Sequence, residues 1–248
     1  MILEVTLEKC WIQGSSRGIL YSFLSAAFKD EMNDRQIKEF LNKDNIASLK
    51  HSLALLPEET AAPLLSCLDE LAASWRNGSL GNETETEAEI LELRKEFAYL
   101  FLTPHGVYPF ESMYRGKRKH LMDTPWEKVR GFYRSIGLEK DKHETHPEDH
   151  IAVELGLMAG LAFLSGRVLP ENEVGDLSED DQRFALEAQE DFLKEHLLEW
   201  IPRFCNDVVE KTRHPFYRSV AVLTGLVIEA DGLMLHALRH DSSELNLL

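Results

Sequence analysis

Apolar residues recur along this chain at spacings of three and four, and that rhythm governs most of its length. Ile19, Phe23 and Ala27 run beside Leu20, Leu24 and Phe28 in one stripe of a first long helix, because 3.6 residues per turn bring such positions onto one face. Shorter helical patterns occupy 34–42 and 45–55, the second stopped by Pro57, which lacks the N–H a helix interior needs. Leu64, Leu68, Leu71 and Trp75 repeat the spacing up to Asn77-Gly78. The stretch "NGSLGNETET" is a linker, and Thr84 with Glu87 matches a capping box for the next helix. That helix, over about 86–102, presents Ile90, Leu93, Phe97, Leu100 and Phe101 on one face.

From Thr103 to His120, prolines, glycines and aromatics break the period, which predicts a structured loop. Thr124-Pro125-Trp126-Glu127 reads as a helix start with Thr124 as cap. This helix buries Trp126, Val129, Tyr133 and Ile136 and stops at Gly137. A linker to about 146 precedes a helix to about 165. A polar connector then leads to a helix opened by Ser178 and Asp181, running through Phe184, Ala188, Phe192 and Leu193 toward Trp200, ahead of Pro202. A last long helix starts near Pro215 and carries Tyr217, Val220, Leu223, Val227 and Leu235. Strand-like alternation and hairpin turns are lacking. The pattern predicts an all-α globular bundle of about ten helices.

Composition narrows the function classes. With 27 basic and 43 acidic residues the formal charge is −16, so a nucleic-acid backbone is repelled and a cationic peptide attracted. Cys10, Cys67 and Cys205 are scattered and form no CxxC pair, which supports neither a disulfide framework nor a zinc knuckle and suits a reducing compartment. The opening residues show no basic region followed by a long apolar run. The wholly apolar stretches are far shorter than the roughly 20 residues that span a bilayer. A cytoplasmic location is the expectation.

The densest chemistry lies in "HETHPEDHIAVELGLMAG", residues 143–160. His146, His150 and Glu154 are spaced by four, as in zinc hydrolases. The metalloprotease pattern needs Glu directly after the first histidine, and here that place is Pro147. Proline favours the first helical position, which predicts His146 as cap and Glu148 and Asp149 in a first turn facing the positive end of the helix dipole. Glu154 then lies between Ile151 and Met158 on the apolar face, and His150, one turn earlier, is its expected partner. A metal-dependent hydrolase using His143, His150 and Glu154 is the rival reading. Phosphate loops and nucleophile elbows are missing. The basic run "RGKRKH", 115–120, is the one dense cationic segment.

Three segments, taken together, resemble one family. "FAYLFLTPHGVYPFESMYRG", "HPEDHIAVELGLMAGLA" and "HPFYRSVAVL" stand in the order and spacing of the TorD/DmsD/NarJ redox-enzyme maturation chaperones, over roughly 15–238. The resemblance implies a non-enzymatic, cofactor-free cytoplasmic chaperone with one domain over 15–248, two lobes joined by a hinge near 137–150, and residues 1–14 as an extension. Its implied partners are the twin-arginine leader and apo-form of a molybdenum-containing oxidoreductase, held until cofactor insertion is complete, with the chaperone itself a monomer or domain-swapped dimer. Carried onto this chain, the leader-binding positions are Phe97, Leu100, Phe101, Pro109, Phe110, Pro147, Asp149 and His150. Chemistry extends them: Asp149, with Glu148 and Glu111, would take guanidinium groups, and Phe97, Phe101, Tyr108 and Phe110 the apolar part of the leader. Phe97 and Phe110 depart from relatives that carry tryptophan there. The remaining alternative is an acidic interaction module with no leader client.

Overall fold

The stripe at 19–28 becomes the buried face of the first helix, where Leu20, Leu24, Ala27 and Phe28 are sealed from solvent. The structure, a computed structural model, describes residues 2–54, 56–74, 83–118, 120–166 and 178–245. In chain order the helices are α1 (Ile2–Lys29), α2 (Asp34–Phe40), α3 (Lys43–Leu53), α4 (Glu58–Ser74), α5 (Glu83–Phe101) and α6 (Glu111–Arg115). They continue as α7 (Thr124–Ser135), α8 (Ile151–Ser165), α9 (Glu179–Phe192), a π turn (Leu193–Leu197), α10 (Leu198–Lys211) and α11 (Pro215–Leu245). The chain is all-α, and among the described residues one isolated β-bridge is the only strand-like pairing.

Helix α8 is the axis of the bundle, with eleven of its fifteen residues buried. A helix apolar nearly all round must be covered on every side, and α1 and α9 supply much of that cover. Close approach of α1 depends on Gly18: a Cβ there would stand 2.6 Å from the Phe163 ring. Helix α11 packs on α4 and α10. Its segment 215–236 is long and apolar enough to cross a membrane by length and composition, yet Phe216, Val220, Leu223 and Ile228 are buried in the core.

A single hydrophobic cluster takes in residues from both sides of 137–150, Val129 and Tyr133 as well as Ile151 and Leu155. That segment therefore joins parts that share one hydrophobic cluster. It is also tied down, because Lys29 Nζ lies 2.6 Å from Glu144 and Lys140 Nζ donates to the His146 carbonyl at 2.5 Å.

Several expected boundaries shift for local reasons. Helix α5 already includes Thr84, so that residue is no cap. Asp123, not Thr124, caps α7, accepting from Thr124 N at 2.8 Å. The 103–120 loop contains α6. Phe184 is 45% exposed and so leaves the predicted stripe. The helical path also continues past Pro202, which lies inside α10. A π turn, Leu193–Leu197, stands just upstream. Ser178 and Asp181 form the expected capping box. The predicted helix end at Asn77-Gly78 and the cysteine at 10 lie outside the described residues and side chains.

Candidate functional site

The loop after α5 folds back sharply at Gly106. Val107 N donates to the Leu100 carbonyl at 2.6 Å, and a Cβ on Gly106 would overlap that same oxygen. Only glycine fits such an approach. The turn aims Pro109-Phe110-Glu111 along Asp149-His150-Ile151. Glu111 N donates to Asp149 O and Ile151 N to Pro109 O, both at 2.9 Å, closing an antiparallel bridge between Phe110 and His150. Two segments about forty residues apart in sequence thus become one site.

This bridge overturns the expected helix start. Pro147 opens a turn closed by His150 N donating to Pro147 O at 3.1 Å, and α8 begins only at Ile151. His150, not His146, is the cap, its Nδ1 accepting from Ala152 N at 3.1 Å. Glu148 and Asp149 consequently lie outside the first turn of α8. The His150 ring stands edge-on to Phe110 at 5.0 Å and 4.3 Å from His146. Burial, with His146 beside it, lowers the His150 pKa to about 3 and keeps it neutral. Burial would raise Glu144, but hydrogen bonds from Lys29 and His146 outweigh it and hold that carboxylate at about 2.

The carboxylates divide into a rim and a buried cluster. Glu148 is on the rim, accepting from Trp126 Nε1 at 2.7 Å with Arg130 at 3.8 Å. Glu111, Asp149 and Glu154 are fully buried. Asp149 Oδ2 accepts from Ser112 N at 3.1 Å and Ser112 Oγ at 2.5 Å. Glu111 accepts from Arg115, one turn along α6, and from His196 Nδ1 of the π turn at 2.9 Å. Glu154 accepts from Trp200 Nε1 of α10 at 2.9 Å, so the expected His150–Glu154 pair gives way to a Glu154–Trp200 contact. Burial foremost, then the charge of Glu111 and a hydrogen bond to it, raise Glu154 well above the ordinary carboxylate range. Burial also raises Asp149, against the opposing bonds from Ser112.

The aromatic positions do not form a single groove. Phe97 and Leu100 are core residues, 4% and 0% exposed. Half-buried Phe101 packs against Phe28, Phe97, Phe204 and Tyr217, with ring centroids 5.1–6.4 Å away. Phe110 packs instead on His150, while Tyr108 is 44% exposed and Pro109 is buried. The zinc-hydrolase set does not gather either. His143 is exposed, and among the described residues no group of three metal-binding side chains converges. In the basic run, Arg115 is drawn into the buried cluster while Lys117, Arg118 and His120 are exposed.

Sequence reasoning missed Ser112, Arg115, His196 and Trp200 as members of this site. Trp200 stood on a recognised apolar stripe, but nothing near His196 marks its contact with a residue 85 positions away.

The model for the family "Nitrate reductase delta subunit" matches residues 53–206, more than half of the chain, and the chain belongs to that family, the TorD/DmsD/NarJ redox-enzyme maturation chaperones. It is 27% identical over 209 residues to the chaperone protein TorD of Vibrio parahaemolyticus, covering 84% of this chain and 88% of that protein. TorD of Photobacterium profundum is 28% identical over 221 residues, 88% of this chain and 94% of its own. TorD of Vibrio atlanticus is 29% identical over 213 residues, with 84% and 88% covered.

Proposed function

We propose that this protein is a non-enzymatic cytoplasmic chaperone that binds the twin-arginine leader and the apo-form of a molybdenum-containing oxidoreductase, and holds that client until its cofactor is in place. The observation that carries the reading is the Phe110–His150 bridge. It joins a surface with an exposed Tyr108, a half-buried Phe110 and Pro147, and the rim carboxylate Glu148 to a buried acidic cluster directly behind. A leader has a basic segment followed by an apolar one, and this surface offers acids and aromatics in adjacent places. Tyr108 and Phe110 take the apolar segment, with the exposed Leu102 on the same loop. Glu148 and Asp149 serve the basic one through charge-assisted bonds. Phe97, Leu100 and Phe101 support the loop from the core side, and Pro147 and His150 fix the turn.

Binding of a labelled twin-arginine peptide, followed by fluorescence anisotropy, tests the reading. Saturable binding is expected, weakened by Phe110→Ser with little change in melting temperature and by Asp149→Asn with the fold retained. Absence of saturable binding, or normal binding by Phe110→Ser, would sink it. A pull-down from the native host should return a protein with a twin-arginine N-terminus.

A further inference from the structure

Cations are not spread evenly over this chain. Residues 115–134 hold seven of the 27 lysines and arginines and two of the 43 acids, a local charge of +5 within a total of −16. Exposed cations elsewhere, such as Arg35, Lys38, Lys95 and Arg183, sit on carboxylates of the chain itself. Within the basic segment Arg115 and Arg130 also reach carboxylates, Glu111 and Glu148. Lys117, Arg118, Lys128 and Arg134 are exposed, and no ion pair among the described residues holds them. This patch is left open to something outside the chain.

The loop between α6 and α7 adds two apolar side chains to these cations. Leu121 and Met122 are 50% and 54% exposed. The shape of the loop is fixed from both ends. Gly116 approaches Ser112 O and Asp123 Oδ2 so closely that a Cβ there would stand 2.3 and 2.8 Å from them. Asp123 Oδ2 accepts from Arg118 N at 3.2 Å, and its Oδ1 accepts from Thr124 N at 2.8 Å. Inside this clamp the backbone passes through Met122 at φ +58°, a left-handed conformation that costs a residue with a Cβ. Glycine would relax the turn. Methionine stands there instead, strained and pointing an apolar side chain at water, and strain of that kind marks positions where the side chain has a use.

We propose that the 117–122 loop docks the protein reversibly on an anionic lipid surface. Leu121 and Met122 enter the boundary of the acyl layer, and the exposed Lys117, Arg118 and His120 meet the phosphates. Lys128 and Arg134 of α7 add attraction at longer range. Neither the apolar pair nor the cations would hold alone, but a lipid surface rewards both at one contact, which is how weak membrane signals combine. The acidic remainder of the chain does not forbid this, because salt screens charges beyond about 8–10 Å from a surface touched only at the loop. A nucleic-acid strand fits less well. It would want a free ring for its bases, and the nearby Trp126 donates Nε1 to Glu148 at 2.7 Å with Arg130 over its face. The proposal is independent of the leader-binding reading.

Flotation of the full chain with lipid vesicles tests this. The protein should float with vesicles of phosphatidylglycerol and phosphatidylcholine, partition at least about tenfold more weakly into phosphatidylcholine alone, and be released by high salt. Lys117→Gln with Arg118→Gln should weaken anionic-vesicle binding by about tenfold or more. Leu121→Ser with Met122→Ser should weaken it by about tenfold, with the melting temperature unchanged. Met122→Gly separates surface from scaffold: it relaxes the turn, so its melting temperature should hold or rise while vesicle binding falls several-fold. Should the serine pair not fold, Met122→Gly decides alone. Failure of the wild type to float with anionic vesicles, or equal partition into neutral ones, overturns the proposal. So does wild-type binding by the folded serine pair or by Met122→Gly. Binding of the wild type to polyglutamate or to an RNA oligonucleotide, with none to anionic vesicles, would give the cations a different partner and overturn it too.

Discussion

Helix α8 meets one buried polar hub near its C-terminal end and another at its N-terminal end, and the two are built on opposite principles. Near the C-terminal end Arg17 of α1 makes a two-pronged bond to Asp231 of α11, at 2.5 and 2.7 Å, and donates to Gln189 of α9 at 2.5 Å. Tyr21 adds a donor to Asp231 at 2.7 Å, and Gln189 is tied to the Leu161 carbonyl and Ser165 of α8 at 3.1 and 3.3 Å. Charges match, and one network fastens four helices. At the N-terminal end three buried carboxylates face one arginine, and two oxygens are bare. A paired hub makes sense as structure alone. An acid-rich one needs a proton on a carboxyl or a further donor, because unpaired buried charge costs several kcal/mol. The two hubs thus differ in charge balance rather than in polarity.

The sharpest way to break this comparison is to unpair the balanced hub. Arg17→Met leaves Asp231 buried without its cation and should cost about 3–5 kcal/mol, measured by chemical denaturation. Adding Asp231→Leu should recover much of that loss, since an apolar pair of similar volume often replaces a buried ion pair without penalty. A cost below about 1 kcal/mol for Arg17→Met would mean that this hub is not the brace it looks to be.

The same contrast sorts two phenylalanines that the sequence treated alike. Phe101 meets four aromatic rings of the core, so Phe101→Ser should destabilise by about 3 kcal/mol or more, with leader binding failing only through unfolding. Phe110 meets His150 at the site, and its serine variant should lower binding with a much smaller stability cost. Equal melting temperatures for the two variants would return Phe101 to the groove.

Helix positions were legible in the sequence because a period of 3.6 is a local signal: the stripes of α1 and α4 and the start of α11 follow from it. The site was legible only as ingredients. Pro147 favoured a helix start locally, but the Phe110–His150 bridge holds His150 extended and α8 begins only at Ile151, and a pairing across forty residues leaves no mark in a short window. The His196–Glu111 contact was hidden for the same reason. Glu154 on an apolar face did announce a buried carboxylate, while its partner Trp200 is 46 positions away and no periodicity could name it.

At the acid-rich hub, stability should depend on pH through Glu154. Its folded pKa is raised above the ordinary 4.5, so the folded chain holds the proton more tightly than the unfolded one. The stabilisation is full below about 4.5 and is lost as pH rises toward the folded value, at up to about 1.4 kcal/mol per unit. Glu154→Gln removes this titration. It should match the wild type in mild acid and become progressively more stable than it as pH rises. His150, neutral down to about 3, titrates alike in both chains and cancels in the difference. Thermal melts across pH check this, and parallel stability curves would argue against a proton held at Glu154.

The smallest effect belongs to the rim. Glu148 is 15% exposed at its side chain and accepts from Trp126 Nε1 at 2.7 Å, with the half-exposed Arg130 at 3.8 Å. Gln at this position keeps an acceptor for Trp126 and loses only a screened ion pair, so Glu148→Gln should change stability by less than about 1 kcal/mol. Its consequence for the leader is kinetic. A rim carboxylate steers a cationic peptide inward without anchoring it. Glu148→Gln should therefore slow association and flatten its dependence on ionic strength, while dissociation, governed by the buried acids and the Phe110 contact, stays nearly constant. Stopped-flow binding at low and high salt separates the two rates. Faster dissociation with unchanged association would move Glu148 from the rim to the anchoring acids, and the line between steering and holding would have to be redrawn around it.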